Sequence, residues 1–177
     1  MINIFLKTII ALLVLIIFPL ETYAEEELNQ TVKDDCITAW IDSGRNRSNL
    51  IEYKNLGEQY CDCVSVKPLN SAEEVGSTAE LCMSQVLLHD TMRGLAMKFS
   101  REQLSQEMIQ SGCFMKLKII YPQMNKNQTV ATTNYCHCAV PKIAEINNKN
   151  LTDKQWTEKI DRIAAECASQ VTNMSPT

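Results

Sequence analysis

The chain has 177 residues, a net charge of −4 and a pI near 5.3, so it lacks the basic surface with which proteins neutralise nucleic-acid phosphates. We therefore expect no nucleic-acid partner. Five glycines and five prolines are too few turn-forming residues for a many-stranded sandwich or barrel, and their scarcity favours helices.

The N-terminal segment is typical of a secretory signal peptide. Lys7 precedes an apolar run from Ile9 to Phe18, and a small-residue cleavage site follows, ending at Ala24. A membrane-spanning helix needs about 20 apolar residues, so this run is too short for an anchor. We expect residues 1–24 to be cleaved and the mature chain to be periplasmic or secreted, with no membrane association after cleavage.

Helix-start signals and apolar periodicity predict six helices along the mature chain. Capping-box patterns begin at Ser71, Ser100 and Thr152. The predicted helices cover residues 28–43, 50–67, 72–97, 101–120, 130–147 and 153–172. Pro141 lies inside the fifth of them and predicts a kink or a break there, because proline cannot donate a helical hydrogen bond.

The eight cysteines occur twice in the order C, CxC, C. Tyr60 and Tyr135 precede the two CxC motifs, and the last cysteine of each group begins a C-x-S-Q-V sequence. We interpret the pattern as an internal duplication. It predicts an all-α protein made of two similar three-helix subdomains, residues 25–98 and residues 99–177, each stapled by two disulfides.

Exported proteins fold under oxidising conditions, so we expect all eight cysteines to form disulfides. Residues two apart on a helix point about 200° apart, so the two cysteines of a CxC cannot readily bond each other. Two pairings per repeat stay open. The first repeat has either Cys36–Cys61 with Cys63–Cys82, or Cys36–Cys63 with Cys61–Cys82. The second repeat follows the same rule with its own four cysteines, which are Cys113, Cys136, Cys138 and Cys167.

The residues between the paired cysteines, Asp62 and His137, should face solvent by the same helical geometry. His137 has disulfide cysteines as neighbours and therefore no thiolate partner. His89 precedes Asp90, but the chain contains no G-x-S-x-G motif that would place a nucleophilic serine beside this pair. We expect no catalytic site, no metal site and no cofactor.

A rigid exported scaffold without catalytic residues predicts a non-enzymatic binding module. A signal peptide joined to a small cysteine-paired helical domain resembles, in general style, bacterial periplasmic binding or immunity proteins. We therefore expect a protein-binding or inhibitory function. Candidate partner contacts are Arg45 and Arg47, in a polar loop between the first two helices, and Met92 and Met97, in an apolar segment.

The apolar segment covers residues 86–99 and joins the two repeats, and we expect most of it to be buried between them. The same segment supports an alternative function. Its methionines and aliphatic side chains could line a cavity between the repeats, and the protein would then carry a small apolar ligand.

Overall fold

The structure is a computed structural model that describes residues 19–44, 49–147 and 149–170, with side chains from residue 29 to residue 169. These residues form six α-helices and no β-strand, so the all-α prediction is confirmed. The helices are α1 (Pro19–Gly44), α2 (Leu50–Ser65), α3 (Ala72–Ala96), α4 (Gln106–Ile120), α5 (Lys126–Asn147) and α6 (Asp153–Cys167). Among them, none is long and apolar enough to cross a membrane.

The predicted signal peptide lies mostly outside the described residues. The structure describes nothing before Pro19, and α1 begins there rather than near residue 28. The expected cleavage after Ala24 would therefore remove the first residues of this helix. Cleavage stays a prediction.

Two of the capping signals begin helices where the sequence predicts. Ser71 accepts a hydrogen bond from the backbone N–H of Glu74 at 3.1 Å, and α3 follows. Thr152 and Gln155 exchange hydrogen bonds at the start of α6. Each cap satisfies backbone donors that the first turn of a helix would otherwise leave without a partner.

The third signal, at Ser100, begins only a 3₁₀ turn over Arg101–Gln103, so the predicted start of α4 at residue 101 is wrong. Leu104 interrupts the helix with an extended backbone, and its side chain is buried in the core with 8% exposed. Ser105 then caps α4 by accepting a hydrogen bond from the N–H of Met108. Burial of Leu104 decides which of two neighbouring serines begins the helix.

The fifth helix, α5, begins at Lys126, four residues earlier than predicted. Asn125 accepts a hydrogen bond from the N–H of Gln128 at 2.9 Å, and the Gln128 side chain accepts one from the N–H of Asn125 at 3.0 Å. The helix continues through Pro141, so the alternative of a break there is wrong. Pro141 is exposed, which leaves the carbonyl one turn earlier within reach of water.

All eight cysteines form disulfides, and both halves of the chain use the first of the two predicted pairings. The bonds are Cys36–Cys61, Cys63–Cys82, Cys113–Cys136 and Cys138–Cys167. In each half the middle helix is therefore joined to the preceding helix by its first thiol and to the following helix by its second. Each half thus has three helices and two disulfides, as predicted. Their origin by duplication stays a prediction.

The hydrophobic core is continuous across both halves. It combines Leu56 of α2, Leu87 of α3, Ile109 of α4 and Ile160 of α6 in one cluster of buried side chains. The predicted boundary between residues 98 and 99 falls in the link between α3 and α4, and these two helices pack against each other. Helix α1 lies at the edge of the bundle. It packs mainly against α2, and none of its described residues is among the buried residues of the core.

A buried polar network holds the centre of this core together. The Tyr135 hydroxyl donates a hydrogen bond to the backbone carbonyl of Ser84 at 2.9 Å, and the Ser84 hydroxyl donates one to the carbonyl of Ala164 at 2.7 Å. The network ties α5 to α3 and α3 to α6. Burial raises the pKa of Tyr135, so its phenol stays protonated and can act as a donor.

Candidate ligand-binding groove

An open groove of about 500 Å³ lies between the second half of α3 and the facing side of α4, and the start of α2 closes one side of it. Its lining comes from both halves of the chain. The volume is in the range of about 300–1,000 Å³ that is usual for small-molecule sites.

The two long walls of the groove have the same spacing in sequence. On α3 and the turn after it, four of the lining residues are Thr91, Gly94, Leu95 and Lys98, and Phe99 lies beside them. On α4 four are Gly112, Met115, Lys116 and Ile119, and Lys118 lies beside them. Residues at positions i, i+3, i+4 and i+7 lie on one face of a helix, so each helix presents one continuous stripe to the groove.

The two glycines have different roles in these stripes. A Cβ atom at Gly112 would lie 3.1 Å from Cγ2 of Thr91, so the missing side chain allows α3 and α4 to approach closely. A Cβ atom at Gly94 would meet nothing nearer than Cε of Lys116 at 3.9 Å. Glycine inside a helix costs about 1 kcal/mol relative to alanine. No close contact requires a glycine at position 94. The effect of the missing side chain is to leave the groove wide.

The remaining lining is largely apolar and partly accessible. Met115 is 65% exposed and Phe99 is 39% exposed, while Leu95 and Ile119 are partly buried against the core. Methionine adapts its shape to different apolar surfaces because its side chain is unbranched and flexible. The groove therefore offers an adjustable apolar surface.

Three lysines and one glutamate supply the charges of the groove. Lys116 has 17% of its side chain exposed and forms ion pairs with Asp90, at 2.7 Å, and with Glu52. Burial alone would lower the pKa of Lys116, but these two carboxylates outweigh that effect and raise the pKa. Lys98 and Lys118 are exposed and have no acidic partner among the described residues. The groove is thus positive within an acidic protein.

A buried hydroxyl on the groove wall lacks a partner. Thr91 is 2% exposed, and its Oγ1 forms no hydrogen bond within the described part of the chain. Buried polar atoms in folded proteins usually have such a bond, because an unsatisfied one costs free energy. The packing of the fold therefore does not explain why a hydroxyl group is buried at this wall of the groove.

The four candidate contact residues lie elsewhere or only beside this groove, whereas the apolar segment, residues 86–99, supplies one of its walls. Arg45 and Arg47 lie outside the described residues. Met92 is 2% exposed and belongs to the core, so its side chain does not reach the surface, whereas Met97 is 78% exposed just after α3. The apolar segment is thus buried in its first half and exposed in its second. Sequence analysis did not single out Gly94, Met115 or Lys118, because each stripe resembles an ordinary helix face when it is considered alone.

The two histidines do not form a catalytic arrangement with their sequence neighbours. His89 pairs with Asp161 of α6 at 2.7 Å rather than with the adjacent Asp90. This contact joins α3 to α6. His137 is exposed, and so is Asp62, which forms an ion pair with Lys33 of α1 at 2.5 Å. The predicted outward orientation of these two residues is confirmed.

Thiol chemistry and metal binding find no support in the described residues. Every cysteine is part of a disulfide, which leaves no thiolate to act as nucleophile or ligand. No group of three or more histidine, cysteine, aspartate or glutamate side chains in the described ranges could hold a metal ion. Two other cavities lined by described residues are smaller, at about 180 Å³ and 240 Å³, so we take the groove of about 500 Å³ as the candidate site. No protein-family model matches this chain, and comparisons with curated proteins and with solved structures found no match.

Proposed function

We propose that the protein is a non-enzymatic binding module that holds a small apolar ligand in the groove between α3 and α4. The observation that carries this proposal is the groove itself, with its volume of about 500 Å³ and its apolar lining. Accessible apolar surface of this kind is costly in water, and a ligand that covers it gains hydrophobic free energy.

The disulfides support a binding role because each long wall helix of the groove is anchored by a disulfide to a neighbouring helix before a ligand arrives. Cys63–Cys82 joins α2 to α3, and Cys113–Cys136 joins α4 to α5. Helices that are already held in place lose little further freedom on binding, so more of the interaction energy appears as affinity.

The four disulfides also support the periplasm or the extracellular space as the site of action, because such bonds persist in oxidising compartments. Together with the predicted signal peptide, they favour a carrier or scavenger that works outside the cytoplasm.

A protein-binding or inhibitory function, immunity-like in style, is the second candidate. It is favoured by apolar side chains that extend beyond the groove: Ile51 is 80% exposed at the start of α2, and Met97 is 78% exposed after α3. Exposed apolar side chains rimmed by polar ones are common at protein interfaces. In this case the groove would receive a side chain of the partner.

Native mass spectrometry of protein purified without denaturant separates the two functions. A carrier retains the added mass of one small molecule, and Gly94→Phe, which fills the groove, loses it. Gly76→Phe is the matched control, because Gly76 lies on the same helix and also has open space at its Cβ position. Protein of bare mass that forms a stoichiometric complex with another protein would support the second function instead.

A further inference from the structure

We propose that the ligand of the groove is an amphipathic anion, a single alkyl chain that ends in an acidic head group such as a carboxylate. This inference rests on the proposed function, since it names the class of ligand that the same groove would take. The alkyl chain lies on the apolar wall formed by Leu95, Phe99, Met115 and Ile119, and Lys98 and Lys118 neutralise the head group.

The charge of the groove selects an anion. The whole chain has a net charge of −4, yet the groove lining has three lysines and one glutamate. Lys116 is neutralised by Glu52 and Asp90. The two other lysines lack acidic partners within the described residues. A concave site with an excess of positive charge raises the local concentration of anions, even on a protein whose overall charge is negative.

The apolar part of the ligand follows from the space above Gly94. The accessible Met115 and Phe99 side chains line the same groove as Gly94, whose missing side chain leaves open space there. A small inorganic or carboxylate anion would contact the lysines but leave the apolar wall in water. An uncharged alkyl chain would cover the wall but leave the lysines without a counter-charge. A molecule that has both parts satisfies both features of the groove.

Isothermal titration of the full mature protein with four probes tests the head group and the chain separately. The probes are dodecanoate, dodecanol, dodecyltrimethylammonium and acetate. Dodecanoate should bind at one site, dodecanol about tenfold more weakly, and the cation and acetate more weakly still. Raising the salt concentration should weaken the binding of dodecanoate but not that of dodecanol, because only the charged contact is screened.

Variants assign each part of the ligand to its residues. Lys98→Gln combined with Lys118→Gln should lower the affinity for dodecanoate about tenfold and leave the affinity for dodecanol unchanged. The control pair, Lys67→Gln with Lys126→Gln, removes the same charge from exposed positions outside the groove and should change neither affinity.

The location is tested by two independent changes. Gly94→Phe should abolish the binding of both alkyl probes, while Gly76→Phe should not. Met115→Glu adds a negative charge at a 65% exposed position and should abolish dodecanoate binding without affecting folding. Its control is Val130→Glu, at a position that is 52% exposed on α5. Thermal melting by circular dichroism checks that each variant is folded.

The outcomes distinguish this inference from the proposed function. If dodecanol binds as tightly as dodecanoate and the lysine variants change neither, the anionic head group is refuted and an apolar carrier remains. If none of the probes binds the wild-type protein, the amphipathic anion is refuted, and the carrier function is refuted as well only if native mass spectrometry finds the protein at its bare mass. If both alkyl probes bind Gly94→Phe and Met115→Glu as well as the wild type, the groove is not the site.

Discussion

Two of the disulfides close loops of similar size but hold very different parts of the molecule. Cys36 and Cys61 are 25 residues apart, and Cys113 and Cys136 are 23 residues apart. In the chain-entropy model each bond therefore stabilises the folded state by about 3.5 kcal/mol. Cys113 and Cys136 both belong to the core, at 2% and 0% exposure. The first bond, in contrast, attaches α1, which has no fully buried core residue among its described side chains.

Replacing each pair with alanine should therefore give two distinct results. Without Cys36–Cys61, α1 should detach locally while the rest of the protein stays folded, because the contacts left to hold it are few: the packing of Trp40 on Tyr53 and Tyr60, two side-chain hydrogen bonds to Tyr53 and the partly exposed Lys33–Asp62 ion pair. Without Cys113–Cys136, the global free energy of unfolding should fall by at least about 3 kcal/mol, since the lost bond lies inside the cooperative core.

Hydrogen exchange detected by mass spectrometry, combined with urea unfolding, measures both effects. In the first variant the amides of α1 should exchange quickly and those of α3 should keep their protection, with the urea midpoint of the core changed little. In the second variant all helices should lose protection together. Equal protection of α1 and α3 in the first variant, or equal global destabilisation in both, would refute the assignment of α1 as a separately fastened element.

Two further predictions concern single residues. Gly57→Ala should weaken the attachment of α1 by about 1–3 kcal/mol, seen as faster hydrogen exchange of its amides, because its Cβ would lie 2.2 Å from the indole ring of Trp40, whereas Gly94→Ala should raise the free energy of global unfolding by about 0.5–1 kcal/mol in urea. Unchanged exchange of α1 in the first variant, or lower global stability in the second, would contradict the packing described for these glycines. Asp62→Ala and His137→Ala should each change stability by less than about 0.5 kcal/mol, as expected at exposed positions. A thermal shift of many degrees for either would contradict the outward orientation.

Local chemistry made much of the fold predictable. The rotation of about 200° between Cys61 and Cys63 excluded a bond inside the motif and implied links to both neighbouring helices. Hydroxyl caps at Ser71 and Thr152 fixed two helix starts, because the donors they satisfy belong to the same turn. These features depend on residues that are close in sequence, so a single sequence reveals them.

The pairing and the start of α4 depend instead on tertiary packing. Both pairings of the first four cysteines were compatible with the helical geometry, and the side of α2 on which α1 packs decides between them. Ser100 and Ser105 are equally good caps in isolation. The buried position of Leu104 selects the second one, and that position exists only in the folded core.

The groove was harder to predict for a related reason. Each of its stripes resembles an ordinary helix face in the sequence, and the site exists only because α3 and α4 place the two stripes opposite each other. Gly94 carries no local signal, since its importance is the empty space beside it. Sequence analysis singled out Met92 and Met97 alike, but only the folded structure shows that Met92 is buried in the core, whereas Met97 and Met115 are accessible.

Methyl NMR spectra recorded during a titration with dodecanoate test most directly whether the groove is the binding site. The account predicts that methyl signals of Leu95, Met115 and Ile119 shift together and saturate at one equivalent, because these side chains line the groove. Those of Ile160 and Ile163, buried on α6, should stay in place. Shifts centred on other residues, or no shifts at concentrations where dodecanoate is soluble, would contradict the claim that this groove binds an amphipathic anion.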